Sequence, residues 1–147
     1  MVVELTGTTA GFVVGEASII EFILRLVISV ILGAIVGFER QISNKPAGMR
    51  THMIVSLGAC LITLTAISAF KEDPARVASG IVTGIGFIGA GNIIASRGRV
   101  HGITTAATLW VVAGVGLAIG AGSYVLAIAS SILVFLILQF KRVERRL

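Results

Sequence analysis

The chain has little charge, little proline and one cysteine. Only 13% of its 147 residues are charged, against about 25% in ordinary soluble domains, and this excludes a water-solvated globule. Cys60 is the single cysteine and lies in an apolar run, so no intrachain disulfide forms and the redox compartment stays unread. The two prolines stand against 18 glycines. That ratio would suggest looseness in water, but in a bilayer it points to closely packed helices. The acidic side is also thin, with 7 Asp and Glu against 12 Lys and Arg. In a soluble protein a net charge of +5 would raise nucleic-acid binding; here it is better read as topology, and no nucleic-acid partner is expected.

What is present is apolar: 56% of residues, with a mean hydropathy of +1.02. A helix crossing the hydrocarbon core needs about 20 such residues. Five stretches near that length are Ile19–Phe38, Thr51–Phe70, Val77–Ala95, Thr104–Ala121 and Ser123–Phe140. The last two are so close that they form a tight hairpin around Gly120 and Gly122. The sequence therefore predicts an all-α integral membrane protein with five transmembrane helices. It divides into an extracytoplasmic N-terminal segment (1–18), a transmembrane domain (19–140) and a basic tail (141–147). No Lys or Arg precedes Arg25, so no cleaved signal peptide is expected.

Five spans put the termini on opposite sides, and positive charge chooses the orientation. With the N-terminus outside, the cytoplasmic side holds Arg40, Lys45, Arg50, Arg97, Arg99, Lys141, Arg142, Arg145 and Arg146. The outer side holds Lys71 and Arg76. The prediction is an outer N-terminus and a cytoplasmic C-terminus, with the tail meeting anionic lipid.

On the first span Glu21, Arg25, Ser29, Gly33 and Gly37 recur every four residues, so the polar and smallest side chains share one stripe that should face protein. An arginine at the bilayer centre costs about 2.5–3.5 kcal/mol, and Glu21 one turn away reads as its intramembrane ion-pair partner. The third span carries Gly80, Gly84, Gly86, Gly89 and Gly91, and the Gly80–Gly84 spacing reads as a close helix–helix contact. Residues 84–89 also fit the dinucleotide pattern G-x-G-x-x-G. That reading fails because no strand precedes them and the next acidic residue is Glu144. The Asn92 amide is expected to hydrogen-bond across helices. Thr104, Thr105 and Thr108 cluster at the start of the fourth span, and the fifth, rich in large aliphatics, should be the most lipid-exposed.

Chemistry is sparse. His52 and Ser56 stand one helical turn apart, but no orienting acid is implied and a packing role outweighs a nucleophile. His101 has no zinc-spaced partner. Glu39 is the one acid at the inner boundary, so a magnesium site would need several copies of the chain. No enzyme, cofactor or metal centre is expected.

Five segments, taken in order, resemble the membrane domain of the MgtC/SapB family. They are Gly37-Phe38-Glu39-Arg40-Gln41, Pro46-Ala47-Gly48-Met49-Arg50-Thr51-His52, Asp73-Pro74-Ala75-Arg76, residues 84–91, and Gly98-Arg99-Val100-His101-Gly102-Ile103-Thr104-Thr105-Ala106-Ala107-Thr108-Leu109-Trp110. The resemblance implies a bacterial inner-membrane protein tied to growth under magnesium limitation and, in pathogens, to virulence. It implies a regulator rather than an enzyme, one such role being restraint of ATP synthase through its membrane sector. It also implies a polar cytoplasmic rim at Glu39, Arg40, Arg50, His52, Arg99, Thr104, Thr105, Thr108 and Trp110, with Asp73 and Arg76 on the outer loop. Longer members continue into a small soluble domain, whereas this sequence stops at Leu147.

Two functional expectations follow. The first is a non-enzymatic regulator that docks helix to helix against itself and another membrane complex. The alternative is an oligomeric cation channel or transporter gathering Glu39, Asn92 and Thr104 around a pathway; against it stand the few intramembrane acids and the lack of an inverted repeat. An intramembrane hydrolase using Ser56 and His52 is the weakest reading.

Overall fold

In a computed structural model the chain is described at residues 16–70, 72–96 and 99–144; side chains at 16–18, 94–99 and 141–144 lie outside the description. The proposed outer segment and the basic tail fall largely beyond it. The elements are α1 (Glu16–Ile42), α2 (Met49–Ala69), α3 (Pro74–Gly91), β1 (Ile94–Ser96), β2 (Arg99–His101), α4 (Ile103–Gly120) and α5 (Tyr124–Glu144). Among the described residues three stretches are long and apolar enough to cross a membrane: Ile19–Ile42, Met49–Ala69 and Ile103–Gly120. Tyr124–Phe140 is a shorter apolar helix.

Local chemistry sets the ends. The α1 stop is a left-handed cap at Asn44 (φ 50°), with Lys45 N–H returning to the Arg40 carbonyl and Asn44 N–H to Gln41. The α4–α5 turn repeats this device at Gly122 (φ 81°), with Ser123 N–H on Ala118 and Gly122 N–H on Ile119. At the start of α3, Pro74 needs no N–H partner and the Asp73 carboxylate accepts from Arg76 N at 3.0 Å.

The third apolar run ends earlier than its hydropathy suggests. The helix stops at Gly91 rather than Ala95, and Ile94–Ser96 pairs antiparallel with Arg99–His101. Asn92 closes the helix, its side-chain amide donating to the Ile88 carbonyl at 2.9 Å. The hydrogen bond seen at this amide thus runs within one helix, where one between helices was expected. Gly102 (φ 92°) packs its bare backbone onto Asn92, where a Cβ would overlap the Asn92 carbonyl.

Helices α1, α2 and α4 form the centre. Glycine contacts join them: a Cβ at Gly33 would lie 2.7 Å from the His52 carbonyl, and one at Gly37 2.6 Å from the Met49 Cα. On α4, Gly116 lies against the Ser56 carbonyl and Gly120 against Thr63. The α3 glycines differ. Gly89 touches Ala106 of α4, but Gly80, Gly84, Gly86 and Gly91 meet nothing within 4 Å, so the close contact expected at Gly80–Gly84 is not made among the described residues. Helix α5 buries Ala127, Ser131 and Leu138 and turns Val125, Leu126 and Leu133 outward.

Candidate functional site

The polar residues of the bundle gather where α1 ends and α4 begins. Glu39 and Arg40 are adjacent on α1, yet both are buried, at 6% and 2% exposure. Such burial is costly unless each charge is met. Ser43, one turn on, donates its hydroxyl to Glu39 Oε1 at 2.6 Å, and Arg40 Nη1 lies 3.6 Å from Oε2. Arg40 Nη2 donates across to Thr105 Oγ1 on α4 at 3.1 Å. The Arg40 Nε and Glu39 Oε2 atoms have no hydrogen-bond partner among the described residues.

His52 sits one layer deeper on α2, fully buried. Its Nδ1 donates to the Gly48 carbonyl at 2.9 Å, and Nε2 lies 3.1 Å from Thr108 Oγ1. Thr108 Oγ1 also reaches the Thr105 carbonyl at 2.8 Å, which links the histidine layer to the arginine layer. Both ring nitrogens are thereby engaged away from Ser56, whose buried hydroxyl has no partner among the described residues. A histidine that activates a serine must hydrogen-bond to it, and this one does not.

The anticipated rim therefore divides. Glu39, Arg40, His52, Thr105 and Thr108 converge in the interior, while Arg50 and Thr104 are exposed and Trp110 faces outward at 53% exposure. The Arg99 side chain lies outside the description. Ser43 was not anticipated, although its i,i+4 spacing from Glu39 is a readable signal.

At the opposite end of the bundle Arg25 pairs with Glu21 and donates from Nη1 to the Gly120 carbonyl at 2.6 Å, with the Tyr124 ring centroid 5.8 Å away. Asp73 and Arg76 form an exposed pair at 3.1 Å. Among the described residues no three His, Cys, Asp or Glu side chains cluster as metal ligands.

Beside these sites runs an apolar groove of about 640 Å³ between α2, α3 and α4. Aliphatic side chains, alanine and glycine alone line it, and Gly58, Gly80 and Gly84 form its bare floor.

Comparison with known proteins gives a consistent result. Residues 26–147 match the MgtC family. The chain is 41% identical over 128 residues to the putative magnesium transporter YhiD of Escherichia coli K12, covering 81% of this chain and 60% of that protein. It is 42% identical over 113 residues to protein MgtC of Salmonella typhimurium LT2, covering 77% and 49% respectively. Against protein SapB of Bacillus subtilis it is 36% identical over 130 residues, covering 82% and 56%. The chain thus spans about half to three-fifths of the length of the curated relatives it matches. No solved structure matches it.

Proposed function

The chain belongs to the MgtC family, and from that premise we propose a multi-pass protein of the bacterial inner membrane that regulates magnesium homeostasis by helix–helix association rather than by catalysis. In this reading the N-terminus is outside, all five helices lie in the membrane and the protein forms a homo-oligomer. Its further partner is another membrane complex, such as the membrane sector of ATP synthase, and in a pathogenic host the same role bears on virulence.

The observation that carries the reading is the groove along α3. Where lipid replaces water, helices associate through close backbone packing, and glycine permits the closest approach. Gly58, Gly80 and Gly84 provide that opportunity at a face the described residues leave uncovered. The occupant is a helix of a second copy, since the groove offers no charge or hydrogen-bonding group to a polar ligand.

The test is disulfide cross-linking in native membranes. A Gly84→Cys variant should give a cross-linked dimer, while Leu126→Cys on the outward face of α5 should not. Gly84→Leu, whose Cβ has no neighbour within 4 Å among the described residues, should insert normally yet lose the dimer and fail to support growth at low magnesium. A monomeric Gly84→Cys protein, or full function in Gly84→Leu, would contradict the reading.

The second reading is a cation pathway, favoured by the burial of Glu39 and by the similarity to the putative magnesium transporter YhiD of Escherichia coli. Against it, Glu39 is held by Ser43 and Arg40, and the Asn92 amide is engaged within its own helix. The Glu39 charge is thereby offset by Arg40, and Asn92 lies at the end of α3 rather than beside Glu39.

A further inference from the structure

The His52 ring faces more hydrogen-bond acceptors than a neutral imidazole can serve. Its Nδ1 lies 2.9 Å from the Gly48 carbonyl, an oxygen that only accepts, so Nδ1 carries a hydrogen. Its Nε2 lies 3.1 Å from Thr108 Oγ1. The Thr108 hydroxyl has one hydrogen, and it points to the Thr105 carbonyl at 2.8 Å. That oxygen only accepts as well, so the Thr108 oxygen is left with lone pairs for Nε2. Nε2 must then donate. The three contacts together call for a hydrogen on both ring nitrogens, and a neutral imidazole has only one.

The surroundings fit a ring that gains and loses this proton. His52 is fully buried where α1, α2 and α4 meet. Two charges bear on it, both from α1 and opposite in sign, Glu39 and Arg40. Helix α4 presents the hydroxyls of Thr105 and Thr108 and has no titratable side chain from Ile103 to Gly120. On α2 itself Arg50 is exposed. A buried charge is tolerated where its donors are met, and here both N–H groups would be.

We propose that His52 is an internal proton site that sets the direction of the Thr108 hydroxyl. With the second proton bound, Nε2–H donates to Thr108, and Thr108 donates to the Thr105 carbonyl. When the proton leaves, Nε2 offers a lone pair, and the Thr108 hydroxyl turns to donate to it and gives up the Thr105 carbonyl. Thr105 is also the residue whose hydroxyl holds Arg40. A proton on α2 is thereby felt at the arginine layer of α1 through one turn of α4. The inference goes beyond the regulatory reading and stands without it.

The test is nitrogen NMR of the full chain purified in detergent. Histidine is labelled in its ring, and the exposed His101 is replaced by Gln so that His52 alone reports. Ring nitrogen shifts separate the imidazolium from each neutral tautomer. Titrated from about pH 8 to about pH 5, the range in which histidine changes charge, the ring should pass from the Nδ1–H tautomer to the doubly protonated form. Thr108→Val removes the acceptor for Nε2 and should lower the midpoint by about one pH unit, equivalent to losing one charge-assisted contact. Thr108→Ser keeps the hydroxyl and should keep the midpoint. If Thr108→Val does not fold, the His52 titration and Thr108→Ser decide. A ring that stays singly protonated throughout, a neutral form with its hydrogen on Nε2, or a midpoint unmoved by Thr108→Val would overturn the proposal, as would a Thr108→Ser midpoint shifted by the full unit.

Discussion

Arg25 of α1 donates a hydrogen bond at 2.6 Å to the carbonyl of Gly120, 95 positions later, where α4 ends. The α4 C-terminus carries partial negative charge and unmet carbonyls, so a guanidinium there satisfies both. The same side chain pairs with Glu21 and packs near the Tyr124 ring, tying α1 to the α4–α5 turn.

Arg25→Gln should therefore lower stability by about 1.5–3 kcal/mol, the range for a hydrogen bond to a charged group. Glu21, 51% exposed in its side chain, should matter less, and Glu21→Gln should cost about 0–1 kcal/mol. Thermal unfolding in detergent, read as loss of the monodisperse peak, ranks the two. Equal losses would show that the pair, rather than the α4 terminus, is what Arg25 serves.

The glycines give a sharper contrast. A methyl at Gly116 would overlap the Ser56 carbonyl, whereas one at Gly84 would meet nothing within 4 Å. Gly116→Ala should destabilise by about 1–3 kcal/mol, the range for overpacking a tight core. Gly84→Ala should leave the monomer unchanged. Yield and melting temperature of the purified variants check both.

That contrast shows what the sequence conveys. The Gly33–Gly37 stripe on the first span lies against α2, because a four-residue repeat defines one face of a helix and smallness lets a neighbour approach it. Gly80 and Gly84 of α3 obey the same rule but stay open among the described residues, since a small-residue pattern does not state whether its partner belongs to the same chain. Hydropathy ran the third span on to Ala95 because Ile93, Ile94 and Ala95 are apolar. The turn into the hairpin depends instead on Gly102 packing onto Asn92, a tertiary contact no periodicity encodes. At the site, hydroxyls and cations were legible as neighbours in sequence. That Arg40 would meet Thr105 while Thr104 and Trp110 turn outward depends on the rotation of α4 against α1 and α2.

The two adjacent threonines consequently differ in expected effect. Thr105→Val leaves a buried Arg40 nitrogen without its acceptor and should cost about 1–3 kcal/mol. Thr104→Val, exposed, should change stability by less than about 0.5 kcal/mol. Ser43→Ala should fall with Thr105→Val, because it removes the hydroxyl that serves buried Glu39. Chemical or thermal unfolding of the three variants tests the order, and a harmless Thr105→Val would mean that the Arg40 contact is dispensable.

The most direct test of a regulator rather than a conduit is magnesium flux into proteoliposomes containing the purified chain, beside a known magnesium channel and a Glu39→Gln variant. The account predicts no flux above empty vesicles while the control channel conducts. Saturable magnesium entry that is lost in Glu39→Gln would contradict it and make the buried Glu39–Arg40 cluster part of a pathway.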